Sequence, residues 1–454
     1  MSTARQENAR TLASAIGRTE EEAEKLLETT VLVTHGADGE RLAGYVVALL
    51  ARTLSHVQRD PDGEPAVEIV IGAVARRSAA RPVFLGVEGF RIEVCDDAPT
   101  TLAGKTRPIV ELVAACYVVA AAVHRALGVE LAVPLRLPIV IDLAELYGTA
   151  IVRVDGRIEL GDSFMAGAGA VGNAVIAGLS VLDVYGKLHV CDPDDASDGN
   201  LNRCWWFGPD DLEKPKAVRL AQHAQASMPH LALIPHVATL RDAIKELGDP
   251  PIETLIVGVD SRRVRRALQN EMPHRVFDAS TTGVTELVLH FNEIPSASAC
   301  MSCIYYEAPE ESAHESHVAK ALGVNAEDVR TNFVTQTAAV LIAQTYPHLA
   351  PAKLEGLAYD SLFKQLCGKG ELKTSSVERV LAPFGFVSVL AGVMLAIEIA
   401  IRTGPSDGRP SYNYWRLSPW GAPIERMREL RPKHAGCEFC GNATLKSVVK
   451  QLWG

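Results

Sequence analysis

The sequence predicts an α/β protein built on a doubly wound, mostly parallel sheet, with a weaker α/β half ahead of it and a helical insertion behind it. Three observations carry this expectation. Apolar runs of strand length alternate with helix-length stretches through most of the chain, the pattern of strand–helix–strand crossovers. The run at 163–166 enters Gly167-Ala168-Gly169-Ala170-Val171-Gly172, and a helix follows at once. Two later runs, 187–191 and 254–259, end at Asp192 and Asp260, where a parallel sheet gathers its ligand loops. With 454 residues, 48% hydrophobic and 22% charged, the chain has material for a large core in two or three domains.

Residues 1–28 form a helical segment, polar and rich in Glu, Arg and Ala at helical spacing. From 29 to 150 the pattern turns α/β. It holds a β-branched run at 30–34, a turn at His35-Gly36-Ala37-Asp38-Gly39, a helix at 41–54, strands at 67–71, 84–86 and 91–95, a long helix at 109–127 and a strand at 138–143. Residues 151–304 hold the better marked unit: strand 163–166, helix 173–182, strand 187–191, helix 215–227, and strands 231–237 and 254–259. The two units share an outline of strand, turn and helix. The first carries His35 and Asp38 where the second has small residues, so it reads either as a degenerate copy of the second or as an unrelated α/β domain. Residues 305–380 form the helical insertion. Residues 381–454 supply a core helix at 386–401, a Gly/Pro/Ser-rich link at 403–411 and a tail.

The net charge of -10 speaks against a protein that grips phosphate backbones, which needs a basic surface, so nucleic acid is not an expected partner. The polar opening predicts no secretory leader and a cytoplasmic protein. The apolar run 386–401 contains Ser388 and Glu398 and falls short of the ~20 residues of a bilayer span, which predicts a buried helix and no membrane.

A glycine loop that opens a helix lets backbone N–H groups approach a phosphate. Alone it fits a dinucleotide-dependent oxidoreductase as well as any other nucleotide enzyme. Asp192, ~20 residues on, suits the acid that holds a ribose hydroxyl of an adenosine ligand. There are nine cysteines, an odd number, and Cys300/Cys303 and Cys437/Cys440 form two Cys-x-x-Cys pairs. In a leaderless chain these read as metal ligands before disulfides, and four thiolates close a tetrahedral structural zinc site.

The string Asp192-Pro193-Asp194-Asp195-Ala196-Ser197-Asp198-Gly199-Asn200-Leu201-Asn202-Arg203, followed by Lys214-Pro215-Lys216 and later by Asp260, resembles the ThiF, MoeB and ubiquitin-activating superfamily. The resemblance covers residues 163–305 and implies a Rossmann-like, ThiF-type adenylation domain. It also implies the reaction: Mg-ATP adenylates the C-terminal glycine carboxylate of a ubiquitin-like protein. Charge that builds on phosphoryl oxygens must be met by cations and metal. By the resemblance Arg203 and Lys216 clamp the phosphates, Asp260 holds Mg2+, Asn200 bonds phosphate or metal-bound water, and Asp192 takes the ribose. Gly167, Gly169 and Gly172 cradle the nucleotide, and the four paired cysteines hold zinc.

In ubiquitin-activating relatives a catalytic cysteine occupies a mobile segment of this part of the fold. Cys367, in the polar, glycine-bearing loop Lys364-Gln365-Leu366-Cys367-Gly368-Lys369-Gly370, is the candidate thioester nucleophile, with Lys364 and Lys369 near it to favour the thiolate. Cys95, Cys116, Cys191 and Cys204 are expected to be packed. The family's partner-reaching arginine stretch is missing ahead of Ser163. If the first unit is an inactive adenylation-like domain, Arg10 or Arg18 of the N-terminal helix would supply that arginine in a pseudo-dimeric monomer; otherwise a homodimer is implied. A conjugating-type enzyme is the expected acceptor, and the Ala/Arg/Val-rich composition suggests a bacterial setting. Sulfur-carrier adenylation of the thiamine or molybdopterin type, and adenylation of a peptide, are the alternatives.

Overall fold

The computed structural model describes residues 3–103, 106–128, 131, 135–306, 311–368, 372, 382–404, 411–423 and 427–454. Two helices, Thr3–Ile16 and Glu20–Leu27, precede the first sheet. Its strands are β1 (Thr30–His35), β2 (His56–Gln58), β3 (Val67–Ile71), β4 (Arg81–Glu88), β5 (Arg91–Cys95), β6 (Leu102–Ala103) and β7 (Ile139–Asp142). They run in the order β2-β1-β3-β4-β5-β7, with β6 added against β4. β1 to β4 pair in parallel, while β5 and β7 pair antiparallel.

The second sheet holds β8 (Arg157–Ala166), β9 (Asp183–Cys191), β10 (Leu231–His236), β11 (Thr254–Val257), β12 (Arg275–Thr282), β13 (Glu286–Glu293), β14 (Tyr414–Leu417) and β15 (Arg428–Glu429), in the order β10-β9-β8-β11-β12-β13-β14-β15. The first five are parallel and the last three antiparallel. From β8 the chain winds outward through β9 and β10, then returns past β8 to β11 and β12. That is the Rossmann-like order, and it opens a crevice at the carboxyl end of β8, between β9 and β11.

The helix Gly385–Thr403 packs between helix Ala170–Leu179 of the second half and helix Pro108–Leu127 of the first, and one apolar core spans both halves. Gly392 permits the approach: a Cβ there would lie 2.4 Å from the backbone carbon of Ala174. Glu398, fully buried in this apolar helix, is held by Arg402 at 2.8 Å and by the Tyr412 hydroxyl. Helices Pro108–Leu127 and Gly385–Thr403 are both long and apolar enough to cross a bilayer by length and composition, and both are mostly buried inside the protein.

Several elements differ from the sequence reading. β8 begins at Arg157 and not at Ser163; exposed Arg157, Glu159 and Asp162 interrupt the apolar run along its first half and hide it from the sequence pattern. β12 to β15 were not foreseen; β14, beyond the core helix, pairs with β13 through contacts that no local pattern announces. The insertion has its own small core, and the stretch before Cys367, read as a loop, is the helix Tyr359–Gly368. Buried Tyr359, Leu362, Phe363 and Leu366 recur at helical spacing and outweigh the polar residues between them.

Gly392→Val is expected to lower the unfolding free energy by about 1–3 kcal/mol through overpacking. Urea denaturation checks this, and an unchanged midpoint would mean that the helices can separate freely.

Candidate functional site

β8 ends at Ala166 and the chain turns through Gly167 at φ +97°, a conformation open to glycine. A Cβ on Gly167 would meet the carbonyl carbon of Gly258 at 2.9 Å, and one on Gly172 would meet the Gly167 oxygen at 2.0 Å. A Cβ on Gly258, just past β11, would lie 2.9 Å from the Gly172 nitrogen. The two strand ends therefore close on the helix start through bare backbone. Gly169, the N-cap of helix Ala170–Leu179, faces open space instead. The unpaired N–H groups of that first turn are suited to an anion.

Asp192, at the end of β9, is buried. Its carboxylate accepts from the Ala168 N–H at 2.7 Å and the Asp194 N–H at 2.9 Å, so it braces the glycine loop from within the protein. Asn173 does the same from the other side. Its side-chain amide donates to the carbonyls of Ala168 at 2.7 Å and Gly169 at 3.2 Å, and its oxygen accepts from the Trp206 N–H at 3.0 Å. Neither Asn173 nor Gly258 was picked out from the sequence; the one available signal was a lone polar side chain in an otherwise small, apolar helix.

Lys216 opens helix Lys216–Ala224, is buried, and reaches Asp194 at 2.8 Å. Burial opposes its charge, but the carboxylates of Asp194 and Asp192 more than compensate and hold the ammonium above its ordinary range. Arg203 donates to the carbonyl of Gly199 at 2.5 Å and to the Asn202 side chain at 2.9 Å. Asn200 closes a capping turn on Ser197, whose N–H and hydroxyl reach its oxygen at 3.0 and 3.1 Å. Cys95, Cys116, Cys191 and Cys204 are all buried; burial pushes the Cys204 thiol up, against the pull of nearby Arg203 and Lys216. Trp205 and Trp206 are half-buried against the core.

Asp260 is exposed beyond β11, and the hydroxyl of Ser361 donates to it at 2.8 Å. One turn on, Gln365 reaches Asp194 at 3.5 Å. The helix Tyr359–Gly368 thus spans the crevice. Asp360 anchors it, bonding Ser261 at 2.6 Å and buried Arg263 at 2.5 Å. Burial works against the Asp360 charge, but His314, Arg263 and Ser261 hold the carboxyl well below its usual range. Cys367 belongs to this helix by its backbone; its side chain, that of Lys364, and residue Lys369 lie outside the described residues. Arg10 pairs with Glu7 and Glu20 on a helix packed against the turn Asp198–Asn200, and Arg18 is exposed.

The four paired cysteines converge. Their sulfurs are 3.7 Å apart for Cys300/Cys303, 3.8 Å for Cys300/Cys437, 3.6 Å for Cys303/Cys440 and 3.4 Å for Cys300/Cys440. All lie within 4.8 Å of one another. A tetrahedron with metal–sulfur bonds of ~2.3 Å has edges of about 3.8 Å, so the set fits a four-thiolate metal site. Hydrogen bonding to Cys300 pulls both Cys303 and Cys437 down, Cys437 to about 7.

A Rossmann-like sheet with a glycine loop, two strand-end aspartates, a buried lysine and a half-buried arginine is the architecture of the nucleotide-binding type of α/β protein. The chain belongs to the ThiF family, whose model matches residues 149–439, within the superfamily of ubiquitin-activating, E1-like adenylating enzymes; a model described as E1 N-terminal domain matches residues 1–149. Among relatives, an uncharacterised protein of Sinorhizobium fredii, y4jF, is 25% identical over 407 residues, 85% of this chain and 77% of that one. The NEDD8-activating enzyme E1 catalytic subunit of Saccharomyces cerevisiae is 28% identical over 159 residues, 32% of this chain and 51% of the yeast subunit. Of the ubiquitin-like modifier-activating enzyme 6 of mouse, only 13% is matched, at 27% identity. The chain is also similar to E. coli MccB solved with ATP, at 14% identity and a TM-score of 0.38 over 79% of this chain and 98% of that one.

Burial raises the Asp192 carboxyl from its ordinary 3.8 to about 6, against the pull of Lys216. Between those values the unfolded chain has lost a proton that the folded protein keeps. The contribution of this group to stability therefore falls as pH rises from about 4 to about 6. Asp192→Asn is expected to remove that slope, measured as the denaturant midpoint across this range. A slope equal in both proteins would contradict the assignment.

Proposed function

We propose that the protein uses Mg-ATP to adenylate the C-terminal glycine carboxylate of a ubiquitin-like protein, then carries the acyl group as a thioester on Cys367 for transfer to a conjugating-type enzyme. The observation that carries this reading is the helix Tyr359–Gly368, which touches Asp260 through Ser361 and Asp194 through Gln365 and includes Cys367. An acyl group activated in that crevice would form beside the segment that accepts it. The joined E1 N-terminal and ThiF matches support the same reading.

In the first step a carboxylate oxygen of the carrier attacks the α-phosphorus. The bond from that phosphorus to the bridging oxygen breaks, and pyrophosphate leaves with the electron pair. Arg203, Lys216 and the N–H groups at the start of helix Ala170–Leu179 stabilise the charge that grows on the phosphoryl oxygens. An ammonium has three donors, so the Asp194 contact leaves Lys216 two for phosphate. Asp260, with Asn200 through water, would hold magnesium, which supplies positive charge against the phosphates. In the second step the Cys367 thiolate attacks the acyl carbonyl, the carbon–oxygen bond to AMP breaks, and AMP leaves. Zinc on Cys300, Cys303, Cys437 and Cys440 would be structural, fastening the tail to the nucleotide half.

ATP–pyrophosphate exchange with candidate carriers is the direct test. Exchange is expected only with a carrier ending in glycine, and Asp260→Ala should reduce it on the order of 10²-fold. A thiol-sensitive adduct should appear on a non-reducing gel and vanish in Cys367→Ala while exchange persists. Exchange without any adduct would favour a sulfur-carrier or peptide substrate, and no exchange with any carrier would sink the adenylation reading.

Elemental analysis should find about one zinc per chain, and Cys437→Ser should abolish it with a marked loss of thermal stability. Metal-free protein of unchanged stability would rule the staple out.

A further inference from the structure

The loop that carries Asn200 and Arg203 is held from outside its own domain. The Asn8 side-chain amide donates to the Arg52 carbonyl at 2.7 Å, and its oxygen accepts from the Asn202 amide at 2.8 Å. The oxygen of Asn202 in turn accepts from the Arg203 guanidinium at 2.9 Å. Donor and acceptor alternate consistently along this relay, so each amide has one orientation that satisfies both neighbours. On the far side of Arg203, the guanidinium of Arg52 donates to the carbonyls of Leu201 at 2.6 Å, Trp205 at 2.6 Å and Phe207 at 3.4 Å. Those bonds bracket Arg203 before and after. Behind the loop a Cβ on Gly385 would lie 2.7 Å from the Asn202 carbonyl, so the core helix backs it without a gap.

A guanidinium that ends on carbonyl oxygens keeps its full charge with no carboxylate to balance it, and the partial burial of Arg52 pulls it below its usual range. Such a group is costly unless its geometry is needed. Asn8 lies in the N-terminal helix Thr3–Ile16, and Arg52 follows helix Glu40–Leu50. Both belong to the stretch matched by the E1 N-terminal domain model, whereas the loop belongs to the ThiF stretch.

We infer that Asn8 and Arg52 are positioning residues for Arg203: the first half of the chain, which lacks a glycine loop of its own, sets the phosphate clamp of the second half in place. This rests on the clamp role proposed for Arg203. Neither residue touches nucleotide; both act by fixing the backbone from Leu201 to Phe207 and the guanidinium it carries.

The test uses the full-length protein and two readouts. Amide hydrogen exchange without nucleotide reports on the loop itself: Asn8→Ala and Arg52→Lys should each speed exchange at 201–207, with little change in the β8 to β11 core. ATP–pyrophosphate exchange reports on the clamp. Both variants should raise KM for ATP about tenfold with a smaller change in kcat. In an Arg203→Ala background the Asn8→Ala effect should disappear, because its route to the phosphates has gone. Arg52→Lys keeps a half-buried cation but loses the forked donors, so it separates geometry from charge. Unchanged amide exchange in both variants overturns the inference, as do Asn8 and Arg203 effects that multiply independently. If instead Arg203→Ala leaves KM unchanged, the clamp reading fails, and amide exchange still decides whether Asn8 and Arg52 hold the loop.

Discussion

The site depends on three glycines that let backbone touch backbone at the end of β8. Gly167, Gly172 and Gly258 come so close that a methyl group on any of them would fall within about 3 Å of main-chain atoms. With that contact made, the start of helix Ala170–Leu179 is fixed against both β8 and the end of β11, and the crevice acquires a floor without side chains. The bracing then follows from hydrogen-bond accounting. A loop this tight cannot satisfy its own polar groups, so Asp192 accepts the Ala168 N–H while Asn173 donates to the carbonyls of Ala168 and Gly169. Asp192 thus has a task inside the protein in addition to the ribose contact proposed for it.

Much of this was legible in the sequence because it is local. The glycine loop, the strand-end aspartates and the paired cysteines are short patterns whose chemistry is set by a few adjacent residues. Parallel strands such as β3, β9 and β11 were legible too, since strands with mostly buried residues read as continuous apolar runs, whereas parallel β12 was not. What escaped was non-local. β14 is apolar and short, and only its pairing with β13, more than a hundred residues earlier, makes it a strand. Gly258 is one glycine among 35, and nothing near it in sequence says that Gly172 will press against it. Asp194 stood inside the recognised string, yet its pairing with Lys216 appears only when β9 and the helix start are brought together.

The cysteine cluster and the crevice share a buried network. Tyr305 directly follows helix Met301–Ile304, which carries Cys303, and its hydroxyl donates to Asp278 at 2.6 Å. Asp278 also pairs with Arg265, which donates to the carbonyls of Ala279 at 3.0 Å and of Val259, the residue before Asp260. Burial raises the Asp278 carboxyl even though Arg265 and Tyr305 pull it down, so the pair sits where desolvation is severe. A fully satisfied network in such a place contributes little net stability but fixes geometry. The tail, whose Cys437 and Cys440 meet Cys300 and Cys303, is in this way connected through packed side chains to the strand end that bears Asp260.

The relation between the halves follows from the same accounting. Helix Gly385–Thr403 would be apolar enough for lipid, yet its surface is consumed by a helix from each half. A shared core of that kind leaves a seam at its edge, and the loop 200–207 lies along it. A loop at a seam presents carbonyls that neither sheet can pair. An acid there would repel them, and a lysine could reach one or two. Arginine offers a rigid fork of donors matched to several carbonyls at once. That is the residue found at position 52, spending its charge on three backbone oxygens on either side of Arg203.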